Sequence, residues 1–189
     1  MTSPARHDAL LRREGTGLIL VDIQDAFAPV IDGFDEVVRQ AALLARGMAT
    51  LGRPVLVSEQ YPKGLGATVA ALGDALPDDA PIIEKMRFSA CGVAAFDEAI
   101  TASGCTTWIV AGVETHVCVN QTALDLIARG HHVHVAADAV SSRTPGNRAL
   151  GLRKMEAAGV HVTSVETALF EMLEQAGGDE FKAISKLVR

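Results

Sequence analysis

A chain of 189 residues, 49% of them hydrophobic, is long enough to bury one core without disulfide or metal staples. Its formal charge of −6 is spread along the chain without a block of basic residues, which is untypical of nucleic-acid-binding proteins. No apolar run approaches the roughly 20 residues that span a bilayer, and no apolar secretion signal opens the chain. The odd count of 3 cysteines does not fit a disulfide framework. We therefore expect a cytoplasmic protein with neither nucleic-acid nor membrane partners.

Short β-branched runs bounded by glycine or proline alternate with longer stretches of helical periodicity. The runs are hydrophobic almost throughout, which indicates strands covered on both faces, as in a parallel sheet between helical layers. In chain order, the predicted strands are 17–22, 54–59, 81–85, 106–112, 132–138 and 160–166.

The predicted helices lie between these strands. The first, 34–51, has an apolar stripe at helical spacing and ends before Gly52. A short helix is predicted at 67–72, inside an irregular segment that is expected to form a wall or lid over a site. We expect one domain at 1–176 and a C-terminal tail helix at 177–189, packed either on the domain or on a neighbouring subunit.

This order of elements predicts an α/β fold with three α/β/α layers, a Rossmann-like doubly wound sheet of six parallel strands in the order 3-2-1-4-5-6. Ligands of such sheets bind beyond the carboxyl ends of the strands, where the strand order reverses. Asp22 ends the first predicted strand, Lys85 ends the third, and Cys118 follows the fourth by one helical turn. We therefore expect these three side chains to converge at one crevice.

The three side chains suit nucleophilic catalysis. If Thr115 caps the helix, Cys118 lies in its first turn, where free backbone N–H groups and the nearby Lys85 ammonium would lower the thiol pKa. Asp22 can accept the thiol proton and later deprotonate a water molecule. The N–H groups at 114–118 can hold an oxyanion.

The segments "LILVDIQDAF", "EKMRFSAC" and "VAGVETHVCVNQTALDLIARGHHVHVAADAVSSR" resemble the isochorismatase-like cysteine hydrolases, and the resemblance runs from about residue 18 to 170. It implies that Asp22, Lys85 and Cys118 form the catalytic triad. It also implies a cis peptide bond at Val113–Glu114, with the N–H groups of Glu114 and Cys118 as the oxyanion donors.

The resembled family is chemically broad, since some members hydrolyse a vinyl ether and others hydrolyse amides. Its nicotinamidases carry an Asp-x-His metal motif after the second strand, where this chain has "VSEQYPKGLG". The segments "SEQYPKGLGATV" and "EKMRFSACG" instead resemble the isochorismatase domain-containing proteins. We predict a hydrolase without metal or cofactor that acts on a small amide, carbamoyl or related small-molecule substrate, and the resemblance implies a homo-oligomer, a dimer or larger.

The positions of further residues in the predicted elements indicate their roles. His132 and His134 share one strand face but lie at its amino end, away from the crevice, so no metal site is predicted there. Cys91 and Cys105 are interpreted as structural. Candidate walls of the substrate pocket occupy loops and helix starts: Gln24, Phe27, Tyr61, Phe88 and His116.

Three alternatives stay open. With an enol ether substrate, acid catalysis by Asp22 would dominate and Cys118 would not need to form an adduct. A silent binding protein on the same scaffold has no physical need for an intact acid, ammonium and thiol. A thiol redox protein would need a resolving cysteine, and none lies within a few residues of Cys118.

Overall fold

A computed structural model describes residues 6–7 and 9–189, so the first five residues of the predicted domain lie outside the described part. Six parallel strands form one sheet in the order β3-β2-β1-β4-β5-β6, which confirms the predicted order. The strands are β1 (Thr16–Val21), β2 (Val55–Gln60), β3 (Ile82–Lys85), β4 (Thr107–Val113), β5 (His132–Ser141) and β6 (His161–Thr163).

Helices occupy the connections and the end of the described chain. They are α1 (Phe34–Thr50), α2 (Pro62–Leu65), α3 (Ala70–Gly73), α4 (Ala94–Ser103), α5 (Asn120–Ala128), α6 (Pro145–Ala157), α7 (Val165–Leu173) and α8 (Gly178–Leu187). A 3₁₀ turn at Asp25–Phe27 follows β1, and a π-turn at Thr115–Val119 leads from β4 into α5.

The sheet lies between two helical layers because alternate residues of its strands face opposite sides. In β1, Leu18 and Leu20 join the core beneath α1, α7 and α8, whereas Ile19 and Val21 join the core beneath α4, α5 and α6. The three-layer arrangement is therefore confirmed. Among the described residues, no helix has the length and apolar character needed to cross a membrane.

The tail helix α8 packs on its own chain. Ile184 is fully buried in the core beneath α1, and Arg13 forms two 2.8 Å hydrogen bonds with the Glu180 carboxylate. Of the two positions expected for the tail, the structure shows the intramolecular one.

The prediction for the end of the sixth strand was wrong. β6 stops at Thr163, because Ser164 caps α7 by accepting a hydrogen bond from the Thr167 N–H. The Asp138 carboxylate accepts the Val165 N–H, which provides a second partner for the helix start. β5 in turn extends to Ser141, three residues beyond its predicted end.

The segment between β2 and β3 also differs from its prediction. The single short helix expected at 67–72 is replaced by α2 and α3, which flank an isolated bridge between Gln24 and Thr68. This bridge ties the segment to the carboxyl edge of β1.

Candidate active site

Asp22 follows the last residue of β1 and is fully buried at the carboxyl edge of the sheet. Its backbone has a φ of 54° and its N–H donates to the Ser58 carbonyl at 3.0 Å. The Ser58 hydroxyl donates to Asp22 Oδ1 at 2.8 Å. The neighbouring strand β2 therefore fixes both the backbone and the carboxylate of Asp22.

Lys85 ends β3 and is 4% exposed. Its Nζ lies 2.6 Å from Asp22 Oδ2, 2.8 Å from Gln60 Oε1, 2.9 Å from the Phe88 carbonyl and 3.1 Å from the Arg87 carbonyl. A buried ammonium is tolerated only when oxygen atoms replace its hydration shell. These four oxygen atoms do so, and they hold the ammonium against Asp22.

Cys118 reaches the same place from β4. Gly112 has a φ of 121°, and a Cβ there would lie 2.1 Å from the Val21 carbonyl oxygen, so only glycine permits this approach of β4 to β1. The Val113–Glu114 peptide bond is cis, and the π-turn follows it. The Cys118 thiol is near enough to Asp22 and Lys85 that both groups influence its pKa.

The expected lowering of the Cys118 pKa was wrong. Burial and the Asp22 charge raise the pKa of the thiol to about 12, and Lys85 opposes this rise only in part. Burial also raises the pKa of Asp22, although its hydrogen bonds and the charge of Lys85 act against that rise. Lys85 is therefore paired with Asp22, and the thiol is neutral in the free site.

The start of the π-turn also differs from the expectation. Thr115 is the first residue of the turn, and extended Glu114 precedes it as the cap. The Val117 and Val119 N–H groups both donate to the Glu114 carbonyl. Among the described residues, the N–H groups of Glu114 and Cys118 have no hydrogen-bond acceptor outside the π-turn itself.

Gln24 binds backbone groups and does not present a free side chain to the substrate pocket. Its Nε2 donates to the Gly66 carbonyl at 2.6 Å and the Gln60 carbonyl at 3.0 Å, while its Oε1 accepts the Gln60 N–H at 2.8 Å. Glu59 holds the same segment, because it accepts both the N–H and the hydroxyl of Thr68. These contacts fix the segment after β2 around the buried pair.

The four other pocket candidates have different environments. Phe27 packs against the core, whereas Tyr61 and Phe88 are 47% and 54% exposed. Tyr61 lines a surface cavity of about 330 Å³ beside Lys85, and Phe88 contacts Lys85 through its carbonyl rather than its ring. His116, in the π-turn, lies 3.1 Å from the Ser142 hydroxyl through Nδ1.

Ser58 and Gln60 also belong to the site, although neither was predicted as a site residue. Their segment was singled out only for lacking a metal motif and for its resemblance to the isochorismatase domain-containing proteins. Both lie at the carboxyl end of β2, beside Asp22 and Lys85, and the predicted strand order contained that signal.

The histidines at the opposite edge lie apart from this cluster. The His134 and His161 rings are 4.9 Å apart between centroids, on strands β5 and β6. Within the described residues, no three His, Cys, Asp or Glu side chains are grouped closely enough to hold a metal ion. Cys91 and Cys105 are buried free thiols, and burial raises the pKa of Cys91 to about 11.

Comparison with known proteins adds an independent line of observation. The profile of the Isochorismatase domain matches residues 16–167. The secreted isochorismatase effector Isc1 of Phytophthora sojae is 37% identical over 91% of this chain and 83% of its own length. The isochorismatase domain-containing protein 1 of Danio rerio is 37% identical over 89% of this chain, which spans 59% of that protein's length.

Solved structures show the same architecture. The MAR1 ribonuclease from Caenorhabditis elegans is 36% identical and superposes with a TM-score of 0.89 over 95% of this chain and 92% of that one. YcaC from Pseudomonas aeruginosa, with hexane-2,5-diol and covalent acrylamide, is 25% identical and has a TM-score of 0.89 over 97% of this chain and 93% of that one.

Proposed function

Because the chain belongs to the Isochorismatase domain family of hydrolases, we propose that it cleaves a small amide or carbamoyl substrate with Cys118 as the nucleophile. The observation that carries the proposal is the buried cluster at the carboxyl edge of the sheet. There Lys85 Nζ lies 2.6 Å from the Asp22 carboxylate, and the Cys118 thiol is buried near enough to both groups for each to influence its pKa. An acid, an ammonium and a thiol are thus combined where a ligand of this fold binds.

The raised thiol pKa determines when the thiol loses its proton in the first step. Cys118 is neutral in the free site, so its proton must leave as the sulfur attacks. The Asp22 carboxylate accepts this proton while the S–C bond forms at the carbonyl carbon. Burial makes Asp22 a stronger base than an ordinary carboxylate, which favours the transfer. The oxygen of the tetrahedral intermediate is then negative, and the N–H groups of Glu114 and Cys118 are its proposed donors.

The second step releases the amine. The C–N bond breaks as Asp22 returns the proton to the departing nitrogen, which leaves a thioester on Cys118. A water molecule then gives one proton to Asp22 and attacks the thioester carbon. When the C–S bond breaks, the sulfur regains the proton and the acid product leaves. Lys85 stays charged throughout and holds Asp22 in place.

One relative supports covalent chemistry on this fold. YcaC from Pseudomonas aeruginosa carries covalent acrylamide, and it is 25% identical to this chain with a TM-score of 0.89. Acrylamide reacts with nucleophiles at its alkene carbon and not at its amide carbonyl. The adduct therefore supports a nucleophilic side chain on this fold and does not indicate the substrate class.

A second candidate is hydrolysis of an enol ether. The raised pKa of Asp22 favours it, since a carboxyl group that holds its proton more tightly is better suited than an ordinary one to act as an acid. In this reaction Asp22 is the acid and Cys118 forms no bond to the substrate. The two chemistries thus differ in their requirement for the sulfur.

The test is a panel of small amides, carbamoyl compounds and isochorismate, assayed with the wild type, Cys118→Ala and Cys105→Ala. We expect Cys118→Ala to lower kcat by about a thousandfold or more, as for loss of a catalytic nucleophile. Cys105→Ala removes a buried thiol elsewhere and should keep kcat within about twofold of the wild type. Activity that survives Cys118→Ala but not Asp22→Asn would instead assign the enol ether route.

The panel also needs an RNA oligonucleotide, because the Caenorhabditis elegans relative is named a ribonuclease. We expect no cleavage of RNA by this chain. Its net charge is −6, and the one lysine of the cluster is buried against Asp22 rather than open to a phosphate backbone. Binding of panel compounds without any turnover would support the silent binding protein instead.

The proposal includes a homo-oligomer in a reducing compartment. Met86 and Phe88 are 70% and 54% exposed and lie two residues apart, so they offer an apolar contact for a second copy of the chain. All three cysteines are free thiols, as in cytoplasmic proteins. Light scattering across a dilution series measures the oligomer directly, and a mass of 19.9 kDa at every concentration would contradict self-association.

A further inference from the structure

Helix α6 packs directly on the π-turn that carries Cys118, and the contact is made through Gly151. A Cβ on Gly151 would lie 2.9 Å from the carbonyl carbon and oxygen of Thr115 and 3.0 Å from the Cα of His116. Carbon atoms in favourable contact are about 3.5–4.0 Å apart. All three atoms belong to the backbone of the turn, so no side-chain rotation can make room for a Cβ.

Backbone conformation does not explain this glycine. Gly151 lies inside α6 and is not among the glycines with positive φ. In a helix interior, glycine costs roughly 0.5–1 kcal/mol relative to alanine. The remaining reason for glycine at this position is the space that its missing side chain leaves for the turn.

Among the three proposed catalytic side chains, only Cys118 depends on this contact. Asp22 and Lys85 are placed by β1 and β3, within the sheet. Cys118 is placed by the π-turn, which lies between β4 and α5 and is backed by α6. A displacement of α6 against the turn would therefore move the sulfur relative to an acid and an ammonium that stay in place.

Helix α6 is itself fixed to an irregular part of the sheet. The pairing of β4 with β5 shifts between Val110 and Gly112. Next to this shift, the Arg148 guanidinium donates to the carbonyls of Ala137 and Val140 in β5. Arg148 thus anchors the helix three residues before Gly151, and it sets the position from which Gly151 meets the turn.

We propose that Gly151 is a positioning residue. Because it has no side chain, α6 can pack closely enough against the π-turn to bring Cys118 to Asp22 and Lys85. This inference rests on the proposed role of Cys118 as nucleophile. It assigns no contact with the substrate to Gly151, which acts only through the backbone of Thr115 and His116.

The test compares Gly151→Ala with Gly146→Ala. Both glycines lie in α6, and a Cβ on Gly146 would meet nothing within 4 Å, so the control makes the same chemical change without the clash. The readout is the rate of Cys118 alkylation by iodoacetamide from about pH 6 to pH 11, mapped by mass spectrometry. Over this range a thiol with a pKa of about 12 should react about tenfold faster with each pH unit, whereas a thiol whose pKa fell toward the ordinary value of about 8.5 would reach a plateau.

We expect Gly151→Ala to shift the alkylation profile of Cys118 by about one pH unit or more, because the thiol changes its distance from Asp22 and its burial. With a substrate from the panel, kcat should fall about 10–100-fold while KM changes less, as for a displacement near 1 Å. Gly146→Ala should match the wild type in both readouts. A merely structural role would lower the melting temperature and leave the profile of the folded protein unchanged.

Arg148→Met provides a second variant if Gly151→Ala does not fold. It releases the α6 anchor without adding atoms at the turn. A change in the alkylation profile and a kcat lowered about threefold or more would support the proposal, whereas wild-type values in both would overturn it. A folded Gly151→Ala variant that matches Gly146→Ala in both readouts would also overturn it. If no compound is turned over by the wild type, the proposed function fails, and alkylation still tests Gly151.

Discussion

The two edges of the same sheet treat buried ionisable side chains in opposite ways. At the carboxyl edge, Lys85 is 4% exposed and donates to a carboxylate, an amide oxygen and two backbone carbonyls. At the amino edge, His134 is 2% exposed, and its titratable neighbours include the imidazoles of His161 and His132. Burial lowers the pKa of His134 to about 4, with the two other histidines contributing.

The difference shows that burial alone does not decide whether a charge persists. The cost of removing an ion from water is similar at both edges, but only the carboxyl edge supplies replacement oxygen atoms. The amino edge therefore keeps a neutral ring, whereas the carboxyl edge keeps an ion pair beside a thiol. A site that moves protons needs the second arrangement, in which an acceptor is held ready beside the proton that it takes.

The largest effect should come from breaking the ion pair of the carboxyl edge. Lys85→Met leaves Asp22 buried without its cation, and we expect a loss of about 3–5 kcal/mol in the free energy of unfolding. Chemical denaturation at neutral pH measures this loss. The double variant Asp22→Asn, Lys85→Met should recover part of it, since no uncompensated charge remains.

Lys182→Met is the matched control. Lys182 and Asp179 form an ion pair whose side chains are 75% and 100% exposed, so its loss should change the free energy of unfolding by less than about 0.5 kcal/mol. Equal effects of the two lysine substitutions would show that the Asp22 site is solvated and would contradict the proposed buried cluster.

Much of this contrast could be predicted from the order of the strands. The positions of Asp22 and Lys85 at strand ends, together with the order 3-2-1-4-5-6, place both side chains at one edge, and His132 and His134 at the other. Periodicity and glycine positions were sufficient for this step because each strand is short and continuous in the sequence. The same reasoning located both ends of α1 to within one residue, and it located the tail helix to within one residue at its start and two at its end.

The protonation state of the cluster could not be predicted from the sequence. A cysteine near a helix start and a lysine indicates a lowered pKa, but the outcome depends on burial by every element around the site. Here burial and the Asp22 charge prevail over Lys85 and raise the pKa of Cys118 to about 12. The roles of Ser58 and Gln60 were likewise hidden, since a side-chain partner depends on register and rotamer rather than on spacing along the chain.

The contact at Gly151 shows a third limit. From the sequence alone, a glycine in a helix is interpreted as a residue that lowers helix stability or caps the helix end. Only the coordinates show that a Cβ there would meet the backbone of Thr115. Close approaches between distant segments are a property of the packed chain.

An intermediate effect should come from the amino edge. The pKa of His134 is about 6.5 in the unfolded chain and is lowered to about 4 in the folded protein. Between these two pH values the unfolded chain therefore binds a proton that the folded protein does not bind. Stability should therefore fall as the pH falls from about 6.5 to 4, by at most about 1.4 kcal/mol per pH unit from this residue. His134→Leu should flatten that part of the curve, measured by chemical denaturation at half-unit steps.

His132→Gln is the control for the amino edge. His132 lies on the same strand but is exposed, so its substitution should leave most of the acid dependence in place. Identical curves for the wild type and His134→Leu would mean that His134 is protonated in the folded state and would remove the contrast between the two edges.

The smallest effect concerns a second ion pair at the carboxyl edge. Arg143 Nε lies 3.0 Å from Glu114 Oε2, but its side chain is 60% exposed, against 1% for Lys85. The Arg143 backbone N–H also donates to the same oxygen at 3.1 Å and remains after any substitution of the side chain. We expect Arg143→Gln to cost less than about 1 kcal/mol, because water and the remaining N–H replace the lost guanidinium.

Salt dependence separates the two carboxyl-edge pairs. The difference between the wild type and Arg143→Gln should shrink between about 0.05 M and 0.5 M NaCl, since exposed charges are screened over a few ångströms at high salt. The loss caused by Lys85→Met should persist at both salt concentrations, because solvent ions do not reach a side chain that is 1% exposed. If Arg143→Gln cost as much as Lys85→Met and were equally insensitive to salt, exposure would not be what distinguishes the pairs. The four oxygen partners of Lys85, rather than its burial, would then have to account for the stability of the cluster.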